Sequence, residues 1–237
     1  MLRQLFSLVP IVLFATLSAQ ATAPQLPAEV HPTVGRAITR SDEAMRKGDH
    51  QLGLILLEGT LYSSGVTVAV DESSLKGAKE RVMRATERAV NAWHRHLGGD
   101  SPIRLLQTPD DAQVVIKLVA SLDDEAPDAL GFINLQKSYR WTKSRREVVI
   151  QGTIRVLNYW DGRPLSEDEF TEVICHELGH LLGLADVRRE GVLMGPAVKG
   201  NAITEPTLNE ARILNETRDL LRSKLQAAQN LSARSSK

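Results

Sequence analysis

The chain has 237 residues, carries 29 Lys+Arg against 29 Asp+Glu, and is 42% hydrophobic. That apolar share supports a packed core and excludes disorder as the default state. Zero formal net charge argues against nucleic acid as the main partner, since phosphate binding needs a basic surface, and the length suits one domain with a smaller appendage.

Residues 1–23, MLRQLFSLVPIVLFATLSAQATA, set Arg3 before an apolar run from Leu5 to Leu17 and finish in small residues. This is the layout of a secretory signal peptide, and the run is short for a membrane span. Ala19-Gln20-Ala21 and Ala21-Thr22-Ala23 both fit the cleavage pattern; the first is favoured, because a cut after Ala23 leaves Pro24 at the new terminus. The expectation is export to the periplasm or medium, with residues 1–21 removed and no stable membrane span left. An uncleaved anchor is the alternative. Cys175 is the single cysteine, so no internal disulfide is available to an exported core.

Residues 24–34, with three prolines, read as a linker. Residues 36–63 read as two short helices joined at Lys47-Gly48-Asp49, like one helical-repeat hairpin without a second copy. Residues 22–64 are therefore either accessory helices packed on the main domain or a pro-segment. SGVTVAV, 64–70, is a β-branched strand bounded by Gly65 and Asp71. A helix is predicted from Ser74 to Leu97, with Leu75, Ala78, Val82, Ala85, Ala89, Trp93 and Leu97 on one face and Gly98-Gly99 ending it. His94 and His96, two apart, cannot converge on one ion and read as surface residues complementing the helix dipole. Strands follow at 103–107 and 112–120. The acidic loop 123–129 reads as solvated; a structural calcium there has no further support. GFINLQ is a short strand candidate, and a basic turn leads to another strand from Glu147 to Leu157. Trp141 and Trp160, on either side of it, are expected to be packing residues.

Ser166 and Glu169 form a capping-box pattern that opens the next helix. Phe170, Ile174, Leu178, Leu181 and Leu182 share one apolar stripe. His176 and His180, four apart, occupy the next face and can aim their imidazoles at one metal ion. Glu177 leans to the same side, placed to take a proton from an attacking water. No histidine follows His180. Gly183 can take the positive φ that ends a helix, and the turn can swing Asp186 back toward the histidines. Two histidines and a carboxylate are an accepted catalytic zinc set. Cys175 points away from them, into the core.

HELGHLLGLAD, 176–186, resembles the long metzincin zinc motif HExxHxxGxxH with aspartate in the last place. GVLMG, 191–195, resembles that family's methionine-bearing Met-turn, with Met194 eight residues past Asp186. The order of strand, Trp93 helix, DAQVVIKL strand, GTIRVLN as an upper-rim edge strand, and a last helix from Thr207 to Leu225 is similar to the matrixin-like branch. The resemblance implies a zincin/metzincin-type α/β (α+β) catalytic domain over 65–225, with a small mixed sheet, a long backing helix, an active-site helix and a C-terminal helix. Residues 226–237 would be a polar tail. It also implies an exported zinc endopeptidase: one Zn2+ on His176, His180 and Asp186, Glu177 as general base, Met194 beneath the metal, and a polypeptide substrate that adds as a strand along GTIRVLN. This sequence departs from the family in Asp186, in lacking a tyrosine beside Met194, and in lacking a pro-segment cysteine. Two other readings stay open: a gluzincin-like site whose third ligand is Glu205 or Glu210, and an inactive zinc-binding interaction protein.

Overall fold

The computed structural model describes residues 26–75, 77–122, 129–142 and 145–235. The signal-peptide assignment (1–21) and nearly all of the acidic loop considered for calcium (123–128) lie outside them.

A five-stranded mixed sheet has the order β2-β1-β3-β5-β4. β1 (Val66–Val70), β2 (Ile103–Leu105), β3 (Val114–Val119) and β5 (Arg146–Leu157) run parallel; β4 (Gly131–Trp141) is antiparallel to β5 at one edge. Every second residue of β1 and β3 is fully or nearly buried: Val66, Val68, Val70, Val114, Ile116 and Leu118. The parallel strands are joined through α3 (Lys79–His96) and, between β3 and β5, through β4. A small hairpin of β6 (Tyr159–Trp160) and β7 (Arg163–Pro164) leads into α4 (Glu167–Leu182).

The seven residues predicted for one apolar face of a helix from Ser74 are all buried, but α3 begins only at Lys79: Leu75 and Ala78 precede it, after the short 3-10 turn Glu72–Ser74. α3 packs on α4, and the Trp93 indole N–H donates to the Cys175 carbonyl at 2.9 Å. Cys175 itself is wholly buried, as its place on α4 requires.

α1 (Pro32–Arg46) and α2 (His50–Leu61) form the expected hairpin, turning at Lys47-Gly48-Asp49, where Asp49 caps α2. The pair belongs to the same core as the sheet. Leu54, Leu57 and Leu61 join it from α2, and Val34 and Ile38 from α1. Gly59 lets α2 sit directly on β4 and β5: a Cβ there would lie 2.7 Å from the Tyr139 ring.

Four further expectations are corrected. GTIRVLN is interior, because β4 pairs with β5 along its full length and covers that outer row of backbone groups; the free edge belongs to β4. The linker ends early: Val30 bridges to Leu184, and Pro32 already begins α1. The last helix, α5, runs Leu208–Ser235 rather than stopping at 225, since no glycine or proline follows Leu225 to break it. Trp141, at the end of β4, is exposed rather than packed, while Trp160 does pack on the core. None of the described helices is long and apolar enough to cross a membrane.

Candidate metal centre

α4 starts at a complete capping box. Ser166 Oγ accepts from the Glu169 amide, and Glu169 Oε2 accepts from the Ser166 amide. Arg163 clasps the same carboxylate with two hydrogen bonds and, with the cap, holds Glu169 down to about 2. The helix is therefore fixed at the end remote from the histidines.

At the other end Gly183 adopts φ 108°, a left-handed conformation that costs other residues dearly. The chain then reverses, and its first three residues are pinned by the N-terminal segment. His31 N–H donates to Gly183 O and Ala185 N–H to Glu29 O, both at 2.8 Å. Asp186 emerges from this short pairing facing the helix it has just left.

His176 Nε2 lies 3.1 Å from His180 Nε2 and 3.1 Å from Asp186 Oδ1, and His180 Nε2 lies 3.3 Å from that oxygen. The three residues form a group able to hold a metal ion. The opposite ring nitrogens carry the stronger information. His176 Nδ1 sits 2.8 Å from Leu193 O, and His180 Nδ1 sits 3.0 Å from Leu184 O. A carbonyl can only accept, so both Nδ1 atoms carry the proton, and in neutral imidazoles both Nε2 atoms present lone pairs. Two lone pairs and a carboxylate oxygen thus converge on one point, an arrangement that a cation satisfies and that is repulsive without a cation or an extra proton. The donor set therefore fits a metal.

In the polypeptide's own field, His176 and His180 hold Asp186 well below the usual carboxylate range. Burial lowers both histidines, but Asp186 and the Glu177 charge outweigh it and raise them. Glu177 is buried and raised, chiefly by burial. Its carboxylate lies against Gly131 at the start of β4, where a Cβ would meet Glu177 Oε1 at 2.8 Å and Val173 at 2.5 Å.

Met194 is buried beneath α4. A Cβ on Gly179 would lie 2.5 Å from its sulfur, so glycine between the two histidines admits the methionine turn. Leu193, the residue before it, supplies the carbonyl that orients His176.

Glu210 accepts the Met194 N–H at 2.8 Å through one carboxylate oxygen and caps α5 with the other, through Thr207 N and Oγ1. Glu205 is exposed and paired with Arg95 and His96. Neither glutamate joins the metal cluster; Glu210 instead anchors the turn that orients His176. His94 is exposed and apart from the site.

The site opens into a cleft of about 760 Å³ between the α1–α2 hairpin on one side and α4 with β4 on the other. His31, Arg36, Arg40, Tyr62 and Lys137 line it, and none was singled out from the sequence. His31 caps α1, with its Nδ1 on Thr33. The following proline is a helix-start signal that could have found it. Protein-family models and the curated proteins contain no match to this chain.

Proposed function

We propose that the chain is an exported zinc endopeptidase of the metzincin type, holding zinc with His176, His180 and Asp186 and using Glu177 as general base. The observation that carries this reading is the triangle of ligand atoms with sides 3.1, 3.1 and 3.3 Å. Tetrahedral zinc with bonds of about 2.0–2.1 Å sets neighbouring ligand atoms about 3.3–3.4 Å apart. Both histidines donate their far nitrogens to backbone carbonyls, the usual support for metal-binding imidazoles.

Zinc, when bound, supplies a Lewis acid that polarises the scissile carbonyl and acidifies water. Glu177 accepts the proton of the attacking water and returns it to the leaving amine nitrogen. Its burial favours this role, because burial raises the carboxyl above the usual carboxylate range and so makes it a stronger base. The free edge of β4 runs beside Glu177 from Gly131 onward and can hold an extended substrate backbone as an added strand. Glu205 and Glu210 are committed elsewhere, which disfavours a gluzincin-like ligand set.

Glu177→Ala tests the role assignment. Zinc content should stay unchanged while hydrolysis of unfolded casein falls by at least ~10²–10⁴-fold. Near-normal turnover in that variant would exclude Glu177 as the base.

A further inference from the structure

Beyond the metal end, the cleft changes character. Alternate residues of β4 from Gly131 to Tyr139 face it, so the strand forms a floor that leads away from Glu177. At about 3.3–3.4 Å per residue, Lys137 stands about 20 Å along that floor from Gly131. The opposite wall is α1, whose Thr33, Arg36, Ala37 and Arg40 recur at helical spacing and all line the cleft. Arg36 and Arg40 are one turn apart, where like charges repel. Neither they nor Lys137 pairs with a carboxylate among the described residues. Among the described residues, the only acidic groups lining the cleft are Glu177 and Asp186, both at the metal end.

Lys137 is the most telling of the three. Its ammonium lies 4.0 Å over the Tyr62 ring and donates to Gly59 O at 3.2 Å. Three donors and one carbonyl leave capacity for an anion. A largely desolvated cation without a counter-charge is costly, and burial lowers this amine to about 8. Tyr62 beside it is buried, and its hydroxyl has no hydrogen-bond partner among the described residues. Tyr62 is the left-handed C-cap of α2 at φ 51°, and the end of that helix thereby holds its ring beneath Lys137.

We propose that this end of the cleft is a carboxylate subsite, in which Lys137 receives a carboxylate of the polypeptide substrate and Arg36 and Arg40 draw it in from the rim. The proposal deepens the peptidase reading and rests on it. An extended substrate on β4 would carry this carboxylate about four to six residues from the scissile bond. Its source is an acidic side chain or the substrate's own C-terminus, and both present the same chemistry. The positive field is shared along the wall: Arg36 and Lys137 both bear on His31, next to the metal site.

Binding of peptides to the full-length Glu177→Ala variant, measured by calorimetry at physiological salt, tests this. Three peptides of about ten residues suffice: neutral and C-terminally amidated; amidated with one internal glutamate, scanned along the chain; and neutral with a free C-terminal carboxylate. One or both carboxylate peptides should bind about tenfold to hundredfold more tightly than the neutral one, and which one does so identifies the source. Lys137→Met should abolish the difference. Arg36→Gln with Arg40→Gln, at exposed positions that pose no folding risk, should reduce it and its salt dependence. Equal affinity for all three peptides, or discrimination that survives both sets of substitutions, overturns the subsite. Repeating the titrations in chelator separates the two readings: failure of the subsite leaves casein hydrolysis by the native chain intact, whereas failure of the peptidase reading leaves the charge discrimination measurable.

Discussion

Replacing Glu210 with alanine removes a support that lies one step behind the proposed metal ligands. The Met194 N–H, buried and held at 2.8 Å, loses its acceptor. An orphaned buried donor costs about 1–3 kcal/mol. The Glu210 half of the capping box at the start of α5 is lost as well, since Glu210 Oε2 accepts from both Thr207 N and Oγ1 at 2.7 Å, while Thr207 Oγ1 keeps the backbone amide of residue 210; losing half a cap costs about 0.5–1 kcal/mol. Together the two effects destabilise the chain by about 2–4 kcal/mol, or about 4–16 °C in Tm for a chain of this size. The melt belongs in chelator, so that metal binding does not add its own stabilisation. Metal affinity should fall separately by about 10–100-fold, because the loosened turn carries the Leu193 carbonyl that orients His176. Glu210→Gln keeps one acceptor oxygen and should lie between the two. An unchanged Tm in chelator would refute the anchor, and complete loss of metal with that unchanged Tm would make Glu210 a ligand.

Two further substitutions probe the supports around Glu177 and α4. Gly131→Ala places a methyl 2.8 Å from Glu177 Oε1; zinc content should hold while kcat on casein drops about tenfold or more through displacement of the proposed base, and kcat within twofold of native would contradict the contact. Glu169→Gln should cost about 1 kcal/mol at neutral pH. The folded carboxyl is depressed from 4.5 to about 2, so its contribution is present above about pH 4.5 and disappears as pH falls through about 2. The Tm gap between native and variant should close across that window, and a gap independent of pH would refute the ion pair.

The site was more legible in the sequence than the cleft around it. A helix fixes the relative places of His176, Glu177 and His180 by its pitch alone, and Gly183 marks the turn that returns Asp186. What escaped were pairings between distant segments. Nothing local in Glu29-Val30-His31 foretells its pairing with Gly183-Leu184-Ala185. The length of β4 was hidden because Lys137 sits on the buried side of an otherwise regular alternation, its stem covered and its charge in the cleft. The resemblance put GTIRVLN at the edge, a place the structure gives to β4. Glu210 entered the sequence reading only as an alternative third ligand, with Glu205; a ligand and a ligand's support differ only in where a carboxylate points, which the order of residues does not state.

Zinc bound per chain, measured on the native protein and on Asp186→Ala after zinc-replete purification and dialysis, tests the proposed centre most directly. The native chain should retain about one zinc, and Asp186→Ala should lose nearly all of it, because the remaining two imidazoles make an incomplete site. A native chain without zinc, or an Asp186→Ala chain that keeps it, would contradict the His176, His180 and Asp186 centre.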